Sequence, residues 1–234
     1  LILEGAGNII INLYKRAGLI TCSFLFMFQV FNAQIEKTEA KIWNTKELDA
    51  GRKSFGLSEL EADVILEINK ARTNPSKYAE LYIKPRLSNY NGKVYNDKTV
   101  TKEGTVAVND CISAMNSQVK LLPLKPDNNL IKLAKEYTKM QGKTNQTGHE
   151  TDGKGFKERM KTIIDDNKVV GENISYGRNT ARDIVIAQLI DDGRPKRGHR
   201  KNILRANYTH IGVASGEHKE YSTMCTINFF GDNT

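Results

Sequence analysis

Cysteine is scarce, with 3 in 234 residues, too few to staple a small scaffold together by disulfides. No apolar run reaches the ~20 residues that a helix needs to cross a bilayer. There is no internal repeat and no low-complexity stretch. Apolar residues at 39% and charged residues at 26% argue against a disordered polymer, a collagen-like chain or a multi-pass membrane protein. The length suits one domain or a lean pair. Histidine is also rare, at 4, so imidazole chemistry has few places to reside. Thirty-five Lys and Arg against 27 Asp and Glu leave a formal charge of +8. That favours anionic neighbours without selecting one. No aromatic-interleaved basic stretch or helix-turn-helix pattern accompanies the charge, so a nucleic-acid partner is not expected.

The sharpest compositional break is at the start. Lys15-Arg16 precede an apolar run from Gly18 to Val30, followed by Phe31-Asn32-Ala33-Gln34. This order predicts a signal peptide over residues 1–33, cleaved after Ala33, and a secreted, extracellular or periplasmic product. A longer membrane anchor is disfavoured by Glu4, Asn8, Asn12, Lys15 and Arg16 within the upstream segment. The chain opens on Leu1 rather than Met, which leaves the true start open. Removing the segment takes away Lys15, Arg16, Glu4 and Cys22, and the formal charge falls from +8 to +7. Cys111 and Cys225 remain, either as a bridge in an oxidising compartment or as buried free thiols. Asn145, Asn173 and Asn207 head N-x-Ser/Thr triplets that matter only in a glycosylating host.

Residues 34–57 are polar and mixed, and read as a spacer ahead of a domain spanning 58–234. Ser58-Glu-Leu-Glu61 is a capping box, and Val64, Ile65, Ile68 and Ala71 continue at helical spacing until Thr73-Asn74-Pro75. Pro75 opens a second short helix. Residues 86–104 predict a surface loop or small hairpin. Val106, Val108, Ile112, Met115 and Val119 predict a helix closed by Pro123 and Pro126, and another runs from near Asp127 to Gly142. Thr180-Ala-Arg-Asp183 caps a helix that ends near Gly193. Strands are expected at 169–176, 210–215 and 221–230, with a hairpin turn at 216–220 that leaves His218 exposed. Early helices, late strands and no regular βα alternation indicate the α+β class.

Two histidines sit in glycine-flanked polar contexts, Gly148-His149 and Gly198-His199, and Gly171-Glu172-Asn173 lies between them. Two imidazoles and a carboxylate suit a borderline-soft cation such as Zn²⁺. Separations of about 23 and 27 residues do not by themselves bring the three together. His210 would share a strand face with Gly212 and reads as a solvated strand end. Ser175 lacks the first glycine of a nucleophile elbow.

Taken in order, Gly148-His149, Gly171-Glu172-Asn173-Ile174-Ser175-Tyr176-Gly177, Gly198-His199-Arg200-Lys201-Asn202-Ile203-Leu204 and Ile211-Gly212-Val213-Ala214 resemble the CAP superfamily. That group comprises cysteine-rich secretory proteins, antigen 5 and pathogenesis-related 1 proteins. The opening Ile65–Pro75 stretch also fits, so the likeness covers about residues 58–231, nearest the compact microbial-type members. The resemblance implies an α-β-α sandwich whose cleft is lined by two histidines and two acids that hold a divalent cation. His149, Glu172 and His199 match three of these positions. The fourth, usually Glu, falls on Asp191 or Asp192, with Asp191 preferred. Asn173, Ser175 and Arg200 are candidate ligand contacts around the cleft.

The basic residues Arg194, Lys196, Arg197, Arg200, Lys201 and Arg205 suggest an anionic envelope surface or a lipid as partner. The function expected is therefore a secreted binding module with a cation cleft and no turnover. The competing reading is a metal- or serine-dependent extracellular hydrolase acting on peptides or cell-wall material.

Overall fold

The structure, a computed structural model, describes Glu39, residues 41–49, Arg52 and residues 56–232 other than Asn145, Asp152, Asp165 and Asp166. The expected leader over residues 1–33, parts of the stretch 34–57 and the Asn145 triplet's own asparagine lie outside these residues. Before Lys46, the Trp43 N–H donates to the Glu39 carbonyl at 2.8 Å. From Lys46 onward the described chain forms one compact unit, of the expected α+β class.

Helix α1 (Glu59–Thr73) starts on a formed capping box. The Glu61 N–H donates to Ser58 Oγ, and the Ser58 N–H donates to Glu61 Oε2 at 2.8 Å. The second carboxylate oxygen of Glu61 accepts the Ser215 N–H at 2.8 Å, so a local cap also docks the helix on a strand. Ala62, Val64, Ile65, Ile68 and Ala71 face inward. Asn74 ends the helix, and Pro75 opens the next short one, Pro75–Tyr78. Lys84–Asn89 forms a 3-10 turn leading into a small three-stranded antiparallel ribbon, Tyr90–Asn91, Val94–Tyr95 and Thr99–Val100.

Helix α2 (Thr105–Ser117) buries Ala107, Val108, Cys111 and Met115. Two valines that suggested this helix are not part of its inner stripe. At ~100° per residue Val106 falls outside it, and Val119 lies beyond the helix end; both are exposed. Helix α3 (Asn128–Gly142) is capped by Asp127, whose carboxylate accepts the Leu130 N–H at 2.9 Å. Helices α4 (Phe156–Met160), α5 (Ala181–Ile190) and α6 (Gly198–Ile203) follow. Cys111 and Cys225 are free, and burial pushes the Cys111 thiol up to about 12.

The main sheet contains β1 (Lys125–Pro126), β2 (Lys168–Tyr176), β3 (Tyr208–His218) and β4 (Ser222–Asp232) in the order β1-β3-β4-β2. β1 runs parallel to β3; the other pairs are antiparallel. Register fixes the faces: Glu172, Asn228 and Gly212 align across the sheet, as do Ile174, Thr226 and Ala214. Helix α3 lies on this face, where Thr138 and Thr226 hydroxyls bond at 2.9 Å. A Cβ on Gly212 would collide with the Leu130 backbone. Ile211, Val213, Ile227 and Phe229 are buried on the opposite face, which α1 and α5 cover. The result is an α-β-α sandwich.

The hairpin differs from the sequence expectation. Strand pairing continues to His218 opposite Ser222, so only three residues turn. His218 is consequently buried, on the α3 side of the sheet by strand alternation, with its Nε2 3.0 Å from the Gln146 carbonyl. Its Nδ1 accepts the N–H groups of Glu220 and Tyr221, both at 3.2 Å, so Nε2 carries the proton.

Two polar residues of α1 organise the remaining chain. Asn69 donates to the Leu48 and Leu124 carbonyls and accepts the Leu124 N–H. Arg72 is buried and donates to the carbonyls of Leu122 (3.1 Å), Ile203 (2.7 Å), Arg205 (2.9 Å) and Tyr208 (3.1 Å). Burial lowers its pKa to about 10. Arg72→Met should cost roughly 3–5 kcal/mol, because four carbonyls lose their donor together. Arg72→Lys should recover only part of this, since an ammonium cannot span the same fork. Urea midpoints of the three proteins check both expectations.

Candidate functional site

Strand β2 lies at the sheet edge opposite β1, and alternation sends its neighbouring side chains to opposite faces. Glu172 points to the α3 side and Asn173 to the α5 side. Glu172, with its side chain only 1% exposed, accepts from His149 Nδ1 at 2.9 Å. Its two oxygens also accept from the same nitrogen, Arg159 Nη2, at 2.9 and 2.7 Å. Arg159 further donates to the His149 carbonyl at 2.9 Å and lies 3.7 Å from the Tyr137 ring centroid. The preceding backbone is held as well. Tyr137 Oη and Gln141 Nε2 donate to the Gly148 carbonyl, and the Gly148 N–H donates to Tyr176 Oη. Tyr176 in turn donates to Gln141 Oε1 at 2.6 Å. The segment leading to His149 is therefore positioned by α3 and β2.

A second imidazole–carboxylate pair is built from α5 and α6. Asp191 terminates α5 in the left-handed conformation, φ 54°, and is buried. Its Oδ1 is 2.8 Å from His199 Nδ1, and its Oδ2 accepts the His199 N–H at 2.9 Å. Asp192 points elsewhere and receives the Lys102 and Glu103 N–H groups at 2.7 and 2.8 Å. Of the two adjacent acids, Asp191 is thus the one paired with histidine. Asn173 ties the second pair to the first: its Nδ2 donates to the His199 carbonyl at 3.1 Å and to Gln188 Oε1 at 3.0 Å. Asn202 bonds Asn173 Oδ1 at 2.8 Å. A side chain on Gly171 would collide with Tyr208 Oη, so glycine permits this close approach of the Tyr208 ring.

In both pairs the carboxylate accepts, so each Nδ1 carries a proton and Nε2 is the ring nitrogen that these bonds leave unused. The His149 side chain is half-exposed, and that of His199 is 13% exposed. Glu172 and Asp191 already accept multiple bonds, and Glu172 faces a guanidinium. Among the described residues no group of three or more His, Cys, Asp and Glu is placed so that it could hold a metal ion. The donors chemically suited to a cation are the two Nε2 atoms, with the acids orienting the rings.

Other predicted contacts are engaged internally. Arg200 donates to the Leu189 carbonyl and to Asp110, at 2.7 and 2.6 Å. Arg197 forks onto Glu103 and Arg194 lies 3.8 Å from Asp191, so three cations of the basic run are already paired. Asn173 is buried, which withdraws its sequon from the folded surface. Ser175 lies on the opposite face from Glu172, and its buried Oγ has no hydrogen-bond partner among the described residues. It therefore has no histidine base. His210 stacks on Phe230 at 4.5 Å and shares the Gly212 face.

The family model described as "Cysteine-rich secretory protein family" (CAP) matches residues 65–229. The chain belongs to the CAP family. Within it, the uncharacterized protein YkwD of Bacillus subtilis is 35% identical over 113 residues, covering 47% of this chain and 40% of that protein. The chain thus spans well under half of this curated relative, and it is a CAP/SCP-domain protein of the microbial type. An outer surface protein from Borrelia burgdorferi aligns with TM-score 0.41 and 21% identity over 48% of this chain and 80% of that one. An extracellular SCP-domain protein from Bacillus anthracis aligns with TM-score 0.40 and 21% identity over 63% and 49%. Among the described residues no helix is long and apolar enough to cross a membrane.

Arg159 was not singled out in the sequence, although it contacts both Glu172 and the His149 backbone. One of two cations in a five-residue helix carries no local mark of such a role. Glu103 and Asp110 were missed for the same reason. Their bonds to Arg197 and Arg200 hold the approach to α6. Glu103 is held down to about 2 by its hydrogen bond from Arg197, and Asp110 below its ordinary value chiefly by Arg200. Unfolded carboxylates titrate near ~4, so this contribution is complete above that pH and is lost as pH falls through the folded values. Asp110→Asn should flatten the thermal-midpoint-versus-pH curve below about 4, and high salt should shrink the difference.

Proposed function

We propose that this CAP/SCP-domain protein is an exported, non-enzymatic binding module whose cleft takes a divalent cation, zinc foremost, through the Nε2 atoms of His149 and His199. The observation carrying this reading is the repeated imidazole–carboxylate pair. Glu172 and Asp191 each hold an Nδ1–H, which sets the tautomer and raises the basicity of the opposite nitrogen. Arg159 and the Tyr137–Gln141–Tyr176 network restrict the first ring; the Asn173 and Asn202 bonds restrict the backbone of the second. A bound cation would supply Lewis acidity and a recognition point for a small or lipidic ligand. Export rests on the Lys15–Ala33 pattern, and the positive charge suits an anionic cell envelope. The unpartnered Ser175 gives the serine-hydrolase alternative no support.

Zinc titrated into the metal-stripped protein should bind stoichiometrically by calorimetry. Combined His149→Ala and His199→Ala substitutions should abolish that binding, and Glu172→Gln should weaken it ~10–100-fold by releasing the His149 ring. Stoichiometric zinc uptake that survives the double substitution would refute this cleft as the site.

A further inference from the structure

The loop between α2 and β1 exposes two large apolar side chains within four residues: Leu122 at 83% and Val119 at 71%. Single exposed apolar residues are ordinary, but these lie in an unusual charge environment. Arg72 bonds the Leu122 carbonyl with one nitrogen and the Ile203 and Arg205 carbonyls with another. One guanidinium therefore brings the loop beside the segment following α6. Lys120 in the loop, Lys201 in the last turn of α6 and Arg205 just beyond it are exposed, and neither 118–126 nor 201–210 contains an Asp or Glu. The first acid beyond the loop, Asp127, is occupied as the α3 cap.

From this juxtaposition we infer that the Val119–Leu122 loop is a docking tip for an anionic lipid bilayer. Leu122 and Val119 enter the headgroup boundary while Lys120, Lys201 and Arg205 meet lipid phosphates. Apolar burial and attraction to anionic lipids reinforce one another at such a surface. A soluble polyanion would use the cations but would leave the two apolar side chains in water, which is why a bilayer is the better match. The tip is also preformed. The Leu121 N–H donates to the Arg72 carbonyl at 2.9 Å, and the Arg72 side chain holds the adjacent carbonyl, reducing the ordering cost of docking. The inference draws on the envelope-facing part of the function proposed above and is independent of the cation.

Cosedimentation of the metal-stripped full chain with vesicles provides the test. Vesicles of equal parts phosphatidylglycerol and phosphatidylcholine should bind the protein, and pure phosphatidylcholine vesicles should bind it at least ~10-fold less. Leu122→Ser combined with Val119→Ser should reduce binding to the anionic vesicles by about 10-fold or more. Lys120→Gln, Lys201→Gln and Arg205→Gln together should lower it similarly and remove most of its salt dependence. These positions are exposed, so thermal midpoints should remain near that of the parent. A soluble polyphosphate arm separates bilayer docking from simple charge capture. No vesicle binding, or anionic-vesicle binding unchanged by the serine pair and matched by polyphosphate, would overturn the inference. Zinc binding measured on the serine pair separately reports on the cleft.

Discussion

The Arg72 guanidinium is enclosed with four backbone carbonyls and no carboxylate among its described partners. A buried charge is costly unless every donor finds an acceptor with good geometry. This requirement turns one side chain into a spatial constraint on distant stretches of chain. The loop before β1, the end of α6 and the start of β3 must present carbonyls to the same planar group. Because α6 carries His199, the last turn of α1 helps determine where half of the candidate site stands. Asn69 performs a related task one helical turn earlier, joining Leu48 and Leu124. The apolar spacing of α1 drives it into the core, while its polar residues specify which loops accompany it.

The site is organised around the outer strand β2. Alternation puts Glu172 and Asn173 on opposite sides, so one short stretch governs both imidazole pairs. Glu172 holds the His149 ring, and Asn173 holds the His199 backbone. Each histidine is braced through its carboxylate at Nδ1. Arg159 neutralises Glu172 and supports the His149 backbone, while the Tyr137 ring supports the cation. The two pairs differ from a simple assembly of four ligands because their acids are committed to orientation.

Local signals that can be completed within a few residues were legible in the chain. Ser58 with Glu61, Asp127 before α3, and Thr180 before α5 all cap the helices that their spacing predicted. The long strands were also located, because alternating β-rich runs do not fit a helical period. The turn length at His218 was less apparent. Glycine and charged residues at 216–220 resemble a turn, yet pairing with β4 extends the strand and buries the histidine beside Tyr176. In α2, the same competition between local pattern and packing leaves Val106 exposed while Cys111 takes a place in the buried stripe.

The sequence by itself determined the α+β class, the helix caps and the family motifs, and it put forward His149, Glu172 and His199 as candidates. Each depends on residue type, short spacing or motif order. Tertiary structure selected Asp191 over Asp192, recruited Arg159, consumed Arg197 and Arg200 in ion pairs, and left Ser175 without a base. Those outcomes depend on which side of a strand a residue faces and on whether a left-handed turn at a helix end aims a carboxylate inward. Such relationships arise only when segments far apart in the chain share one buried volume, where each polar group must find an acceptor or donor within ~3 Å.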